Sequence, residues 1–228
     1  MPRSAFAAIL SHPGVSPKQG EIELSISPTH ARLAHHTVRT GDTKKVAVLI
    51  GGDAPQIRYE SASWDRLARH LKLISDIPRT EICISTSPRT GRQVEEKILT
   101  QLQKYQVRTS RFIEYGRGDR ESVESILENT FAVIVTADSV SMISDAVALG
   151  LSVFAVHDEN IASQRVDNFL QKLSHKKLIS IINLRATPPG DPLDTSKIVP
   201  FDVCWSDELW KELAERIPLA SSSDAVNK

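Results

Sequence analysis

Cysteine is almost absent: Cys83 and Cys204 are the only two among 228 residues. That rules out a disulfide scaffold, and because Cys83 lies inside an apolar run it is expected to be a buried free thiol. Net charge is absent too, with 28 basic and 28 acidic side chains, so neither bulk nucleic-acid binding nor adhesion to an anionic membrane has an electrostatic basis. No apolar run approaches the roughly 20 residues of a membrane-spanning helix. The first ten residues are too short and too weakly apolar for a secretory signal, so an intracellular protein is expected. The seven histidines show no metal-ligand spacing; His35 and His36 are adjacent and point apart on either regular element, so no metal is expected.

What is present is alternation. Apolar, β-branched runs at residues 46–50, 81–85, 111–115, 131–135, 153–156 and 178–182 read as strands, the last of them at an edge. Helix-length segments separate them. Trp64, Leu67, Ala68, Leu71 and Ile74 recur at helical spacing, with Arg66, Arg69, His70 and Lys72 on the opposite face. The expected fold is α/β: a doubly wound, mainly parallel sheet of about six strands, Rossmann-like. Residues 44–185 form that unit. Residues 1–43 carry scattered proline and glycine and read as an irregular arm, with one strand at 21–27 and a short helix at 29–36. Residues 186–228 read as a proline-containing loop, a helix at 207–216 capped by Ser206, and a tail.

The unit at residues 131–156 organises the rest. Its turn, Thr136 to Ser139, leads into a helix that Asp138 or Ser139 can cap and that Gly150 ends. An open parallel sheet puts its ligand crevice at the carboxyl ends of the strands, where helix N-termini present free amides to anions. The loops after strands one, two and four converge there, carrying Gly51, Gly52, Arg58, Thr86, Ser87, Arg89, Thr90, Asp138, Ser139, Ser141 and Asp145; Gly116 and Gly118 turn after strand three. Arg89 can pair bidentately with a diphosphate. Asp145, two helical turns after Asp138, can accept hydrogen bonds from ribose hydroxyls. No serine elbow, Cys/His couple or matched carboxylate pair is present, so no catalytic residue is named. The Gly116-x-Gly118 turn lacks the remainder of a dinucleotide fingerprint and follows the third strand, which argues against a dehydrogenase.

Residues 48–52 (VLIGG), 85–90 (STSPRT) and especially 135–146 (VTADSVSMISDA) resemble the mitochondrial fission proteins of the elongated-mitochondria type and their bacterial relatives. The resemblance covers about residues 44–185. It implies the nucleotide-sugar-binding half of a GT-B glycosyltransferase, with a nucleoside-diphosphate-sugar ligand and no other cofactor. It also implies that Ser139 to Ser141 and Arg89 hold the diphosphate and Asp145 the ribose. This chain departs from the family at Asp53-Ala54, at Pro88, at Asp145, where the family has Glu, and at Arg120-Glu121-Ser122. The resemblance further implies an N-terminal domain ahead of the Rossmann unit, where only the arm of 1–43 stands. Either the chain is a fragment, or a partner supplies a second Rossmann half, as in a split glycosyltransferase, or catalysis has been lost and a non-catalytic module recruits a dynamin-type GTPase at the mitochondrial surface. In the latter case Trp205 and Trp210 are the candidate anchor.

Overall fold

Short, continuously apolar β-branched runs that alternate with amphipathic helices suit a parallel sheet covered by helices on both faces. The computed structural model describes residues 9–10, 21–22, 24–28, 43–52, 57–158, 163–186, 192–201 and 205–216. Two short strands, β1 (Ile9–Leu10) and β2 (Glu21–Ile22), pair in parallel. The main sheet contains β3 (Lys44–Leu49), β4 (Thr80–Ser85), β5 (Arg111–Ile113), β6 (Ala132–Thr136), β7 (Ser152–His157) and β8 (Ile179–Asn183). All five pairings are parallel, in the order β5-β4-β3-β6-β7-β8. This is the Rossmann order, and the chain reverses its direction of winding between β3 and β6.

The pleat sorts the core into two layers. Val46, Val48, Ile82, Ile84, Ile134 and Phe154 face α1 (Ser61–Ser75) and α2 (Arg92–Lys104). Ala47, Leu49, Val133, Val135 and Val153 face the other way, onto α3 (Val123–Leu127), α4 (Val140–Ala148) and α5 (Gln164–His175). Alternate residues of a strand point to opposite faces, so one run serves both layers. Leu71 on one side and Phe169 on the other are fully buried; each contributes about 1.5–3 kcal/mol through removal from water.

The main-sheet strands and their helices match the sequence reading; β1, within the expected irregular arm, was not anticipated, and four further details differ. His70, expected on the polar face of α1, is buried; both ring nitrogens lack a partner among the described residues, and burial lowers its pKa. The strand expected over 21–27 is limited to β2, because Leu24 and Ile26 turn inward and join the core instead. Neither Asp138 nor Ser139 caps α4 with its side chain. The last helix, α6 (Trp205–Arg216), begins before Ser206, which therefore lies in its first turn. Gly150 ends α4 with φ of 70°, as expected. The helix expected at 29–36, together with Asp53, Ala54, Cys204 and the side chain of Trp205, lies outside the described residues. Cys83 is a buried free thiol, and burial raises its pKa.

Residues 24–28 run between α5 and α6. Lys172 Nζ donates to the Leu24 carbonyl at 2.8 Å and Lys176 Nζ to Ser25 Oγ at 2.6 Å. Glu208 of α6 accepts from the Ser25 amide at 3.0 Å and from its hydroxyl. Among the described residues no helix is long and apolar enough to cross a membrane.

Candidate functional site at the switch point

Where β3 and β6 part, the chain leaves Leu49 as Ile50-Gly51-Gly52. The Gly51 amide donates to Thr136 Oγ1 at 2.8 Å, tying the ends of the two strands together. The Thr90 hydroxyl lies 3.0 Å from the Ile50 carbonyl and 3.1 Å from that of Gly51, and Ser87 Oγ donates to the Gly51 carbonyl as well. The Ser87 amide closes its own loop onto Thr90 Oγ1 at 2.9 Å. Both hydroxyls are buried. They stitch the loop after β4 onto the loop after β3, and satisfy carbonyls that would otherwise be buried without partners.

The glycine pair exists for this approach. A Cβ on Gly51 would lie 2.0 Å from Asp138 Oδ2, and one on Gly52 would lie 2.5 Å from Thr90 Cα. Gly52 also has φ of 100°, a region that side-chain-bearing residues rarely enter. In this structure, then, the two glycines receive neighbouring loops.

Asp138 occupies the centre. Its side chain is wholly buried, while its ion-pair partner Arg89, with Nη2 3.2 Å from Oδ2, is 45% exposed. Oδ1 has no hydrogen-bond partner among the described residues. Burial pushes the carboxyl pKa up to about 6; Thr136, Arg89 and Tyr59 pull it down without offsetting the loss of water. Tyr59 lies close to Asp138 and stacks on Trp64 at 4.7 Å; its pKa is raised well above 10.0, first by burial and then by the Asp138 charge.

The structure therefore brings Gly51, Gly52, Ser87, Arg89, Thr90 and Asp138 into one bonded cluster. Ser139 lies beside them, buried, with its amide committed to the Thr136 carbonyl at 3.2 Å. The first intrahelical bond of α4 runs from Ile143 to Ser139. The amides of Val140, Ser141 and Met142 consequently have no carbonyl within the helix to bond. Ser141 is exposed and Asp145 half-buried along α4. Arg58 is exposed on the segment before Tyr59 and takes no part in the hydrogen bonds above.

Several rim residues were not selected from sequence. Tyr59 belongs to the Asp138 cluster, beside Thr136, which the sequence places at the head of the turn. Glu95 is fully buried, with Oε1 2.5 Å from Thr86 Oγ1 and 2.8 Å from the Gly116 amide. Its spacing from Ile98 and Leu102 on α2 is helical, which would have placed it inward. Asp158, just past β7, accepts from Ser63 Oγ at 2.8 Å, Arg66 Nη1 at 3.3 Å and Arg185 Nε at 2.6 Å. No sequence spacing links those four residues. No cluster of three or more metal-binding side chains occurs among the described residues.

Three solved structures are similar to the chain in outline. They are HAL3 from Cryptococcus neoformans, with 8% identity over 76% of this chain and 96% of that one and a TM-score of 0.35; a dodecameric FMN-dependent UbiX-like decarboxylase from Escherichia coli O157:H7, with 10% identity over 75% and 92% and a TM-score of 0.38; and a UDP-N-acetylglucosamine 2-epimerase, with 14% identity over 75% and 45% and a TM-score of 0.34. At such scores none of them bears on function. No curated protein matches the sequence. The model of one family, mitochondrial fission ELM1, matches residues 11–202, and the chain belongs to that family.

Proposed function

We propose that the rim above β3, β4 and β6 binds the diphosphate of a nucleoside-diphosphate-sugar ligand, in the manner of a GT-B-like half. One observation carries this reading: three polar loops meet at the switch point of a 3-2-1-4-5-6 sheet, bonded to one another through Gly51, Thr90, Arg89 and Asp138. Arg89, half-exposed and mounted on a loop stitched at both ends, is the cation for the diphosphate. The amides of Val140 to Met142 add the partial positive charge of a helix N-terminus. Asp145, one turn further along α4, accepts from the ribose. No residue is assigned to catalysis. Calorimetric titration with uridine and guanosine diphosphates and their sugars tests the reading. Heat at micromolar to millimolar ligand that is lost in Arg89→Gln supports it; no heat from folded protein at millimolar ligand removes it.

A second reading has its own observation. Trp210, on α6, is 70% exposed, and a large exposed aromatic is a common anchor for a protein partner. On this reading the protein is a non-catalytic module that recruits a dynamin-type GTPase at the mitochondrial surface. Trp210→Ala, shown to be folded, then loses the GTPase in a pull-down; undiminished capture counts against it.

A further inference from the structure

An anion placed at the first turn of α4 meets a difficulty in this structure: the site already contains one. The Asp138 carboxylate lies at that turn, its Oδ2 against Gly51 and, among the described residues, its one ion pair made with Arg89, the same guanidinium the diphosphate requires. If Arg89 moved to a phosphate while Asp138 stayed ionised, a buried charge would lose its counter-ion beside a second anion. That is among the costliest arrangements a protein interior can hold. Neutralising the carboxyl removes the conflict, since a protonated acid needs no counter-ion and can donate a hydrogen bond.

We propose that Asp138 receives the ligand as a neutral carboxylic acid: diphosphate binding takes up one proton at Asp138, transfers Arg89 from Asp138 to the phosphate, and turns Oδ1, unpartnered among the described residues, into a hydrogen-bond donor. The inference rests on the diphosphate reading of the rim and supplies its regulation. Atoms balance simply, since one solvent proton is added to the carboxylate and no covalent bond of the ligand changes.

The surroundings of Asp138 favour this. From the loop after β4 it meets Arg89, and from the segment before α1 it meets Tyr59, a neutral phenol whose pKa is raised. From the turn after β3 it meets the backbone of Gly51 and from β6 the hydroxyl of Thr136. The first turn of α4 carries no acidic residue. Arg89 is therefore the one positive charge among the described groups that hold the carboxylate ionised. With Arg89 still in place the carboxyl pKa is already about 6, so loss of that partner and arrival of an anion both push it further up.

The test is calorimetry of the full chain with UDP-glucose, whose two phosphates carry no titrating group near neutrality. Titrations run from about pH 5 to about pH 8, in pairs of buffers with different ionisation enthalpies. Uptake approaching one proton per ligand is expected near the upper limit. The association constant should fall by about tenfold per pH unit above the pKa of Asp138 and level off below it. Asp138→Asn mimics the neutral acid at the same size. It should bind at about pH 8 as tightly as the unaltered protein at about pH 5, without proton uptake. A carboxyl carbon NMR titration of Asp138, with and without ligand, should show the pKa rising on binding. Binding without proton uptake, or a folded Asp138→Asn that fails to bind where the native protein does, overturns this inference and leaves the diphosphate reading standing. No binding by either protein at any pH overturns both.

Discussion

Two aspartates sit at the same rim of the same sheet, each with a side chain wholly shielded from water, yet they are built for opposite ends. Asp158, past β7, has both oxygens occupied: Ser63 and Arg66 on Oδ2, Arg185 on Oδ1. It ties the start of α1 to the ends of β7 and β8, and its arginines keep about a third of their side chains exposed. Asp138, past β6, has one arginine on one oxygen and no partner among the described residues on the other. A carboxylate with every lone-pair direction answered holds a structure together; one left half-answered is under tension that a proton or a ligand can relieve.

Three substitutions can break or sharpen this contrast. The largest effect should come from Asp158→Ala, which leaves two arginines and a buried hydroxyl without their shared acceptor; a loss of about 4 kcal/mol is expected in urea-induced unfolding. If Asp158→Ala cost no more than a surface substitution, the clasp would be an accident of geometry.

Asp138→Asn should go the other way. The folded-state pKa of about 6 lies above the ordinary 3.8, so the native state holds its proton more tightly than the unfolded chain does. The stability this proton contributes is complete below the unfolded pKa and is lost as pH rises from about 4 to about 6. At neutral pH the ionised group therefore weakens the fold by something on the order of 3 kcal/mol. The Asn variant should be more stable than the native protein at neutral pH by up to that amount, and equal to it below about pH 4. Thermal melts across that range settle the matter; a pH-independent difference would show that Asp138 does not titrate there.

Gly52→Ala should have the smallest effect, a loss of about 2 kcal/mol from a methyl group pressed against the Thr90 backbone at positive φ. It displaces the loop carrying Arg89, so it should also raise the Asp138 pKa further. A carboxyl NMR titration that finds the pKa unmoved would separate loop position from charge pairing.

Much of the architecture was legible in local pattern. Runs such as 46–50 and 131–135 read as buried strands from their shortness and β-branched content, and the helical spacing of Trp64, Leu67, Leu71 and Ile74 placed α1 on a sheet face. Gly150 marked the end of α4. His70 was misplaced because helical phase puts it near the boundary of the apolar stripe, where packing against neighbours decides whether a polar ring is covered. Ser139 was expected to cap its helix because its residue type so often does; here the turn spends the Ser139 amide on Thr136 and leaves the side chain out of the cap.

The sequence by itself determined which residues reach the rim, because a strand of given length ends where its apolar run ends and the next loop must begin there. That the winding reverses between β3 and β6 was decided by the tertiary structure, since parallel pairing and right-handed crossovers fit more than one strand order. Only the tertiary structure decided that Gly51 lies beneath a carboxylate, that Arg89 is committed to Asp138, and that Asp158 gathers arginines from α1 and from past β8. Those contacts join residues 27 to 95 positions apart. The electrostatics of a buried acid depend on what surrounds it in space, a property that no neighbour along the chain reveals.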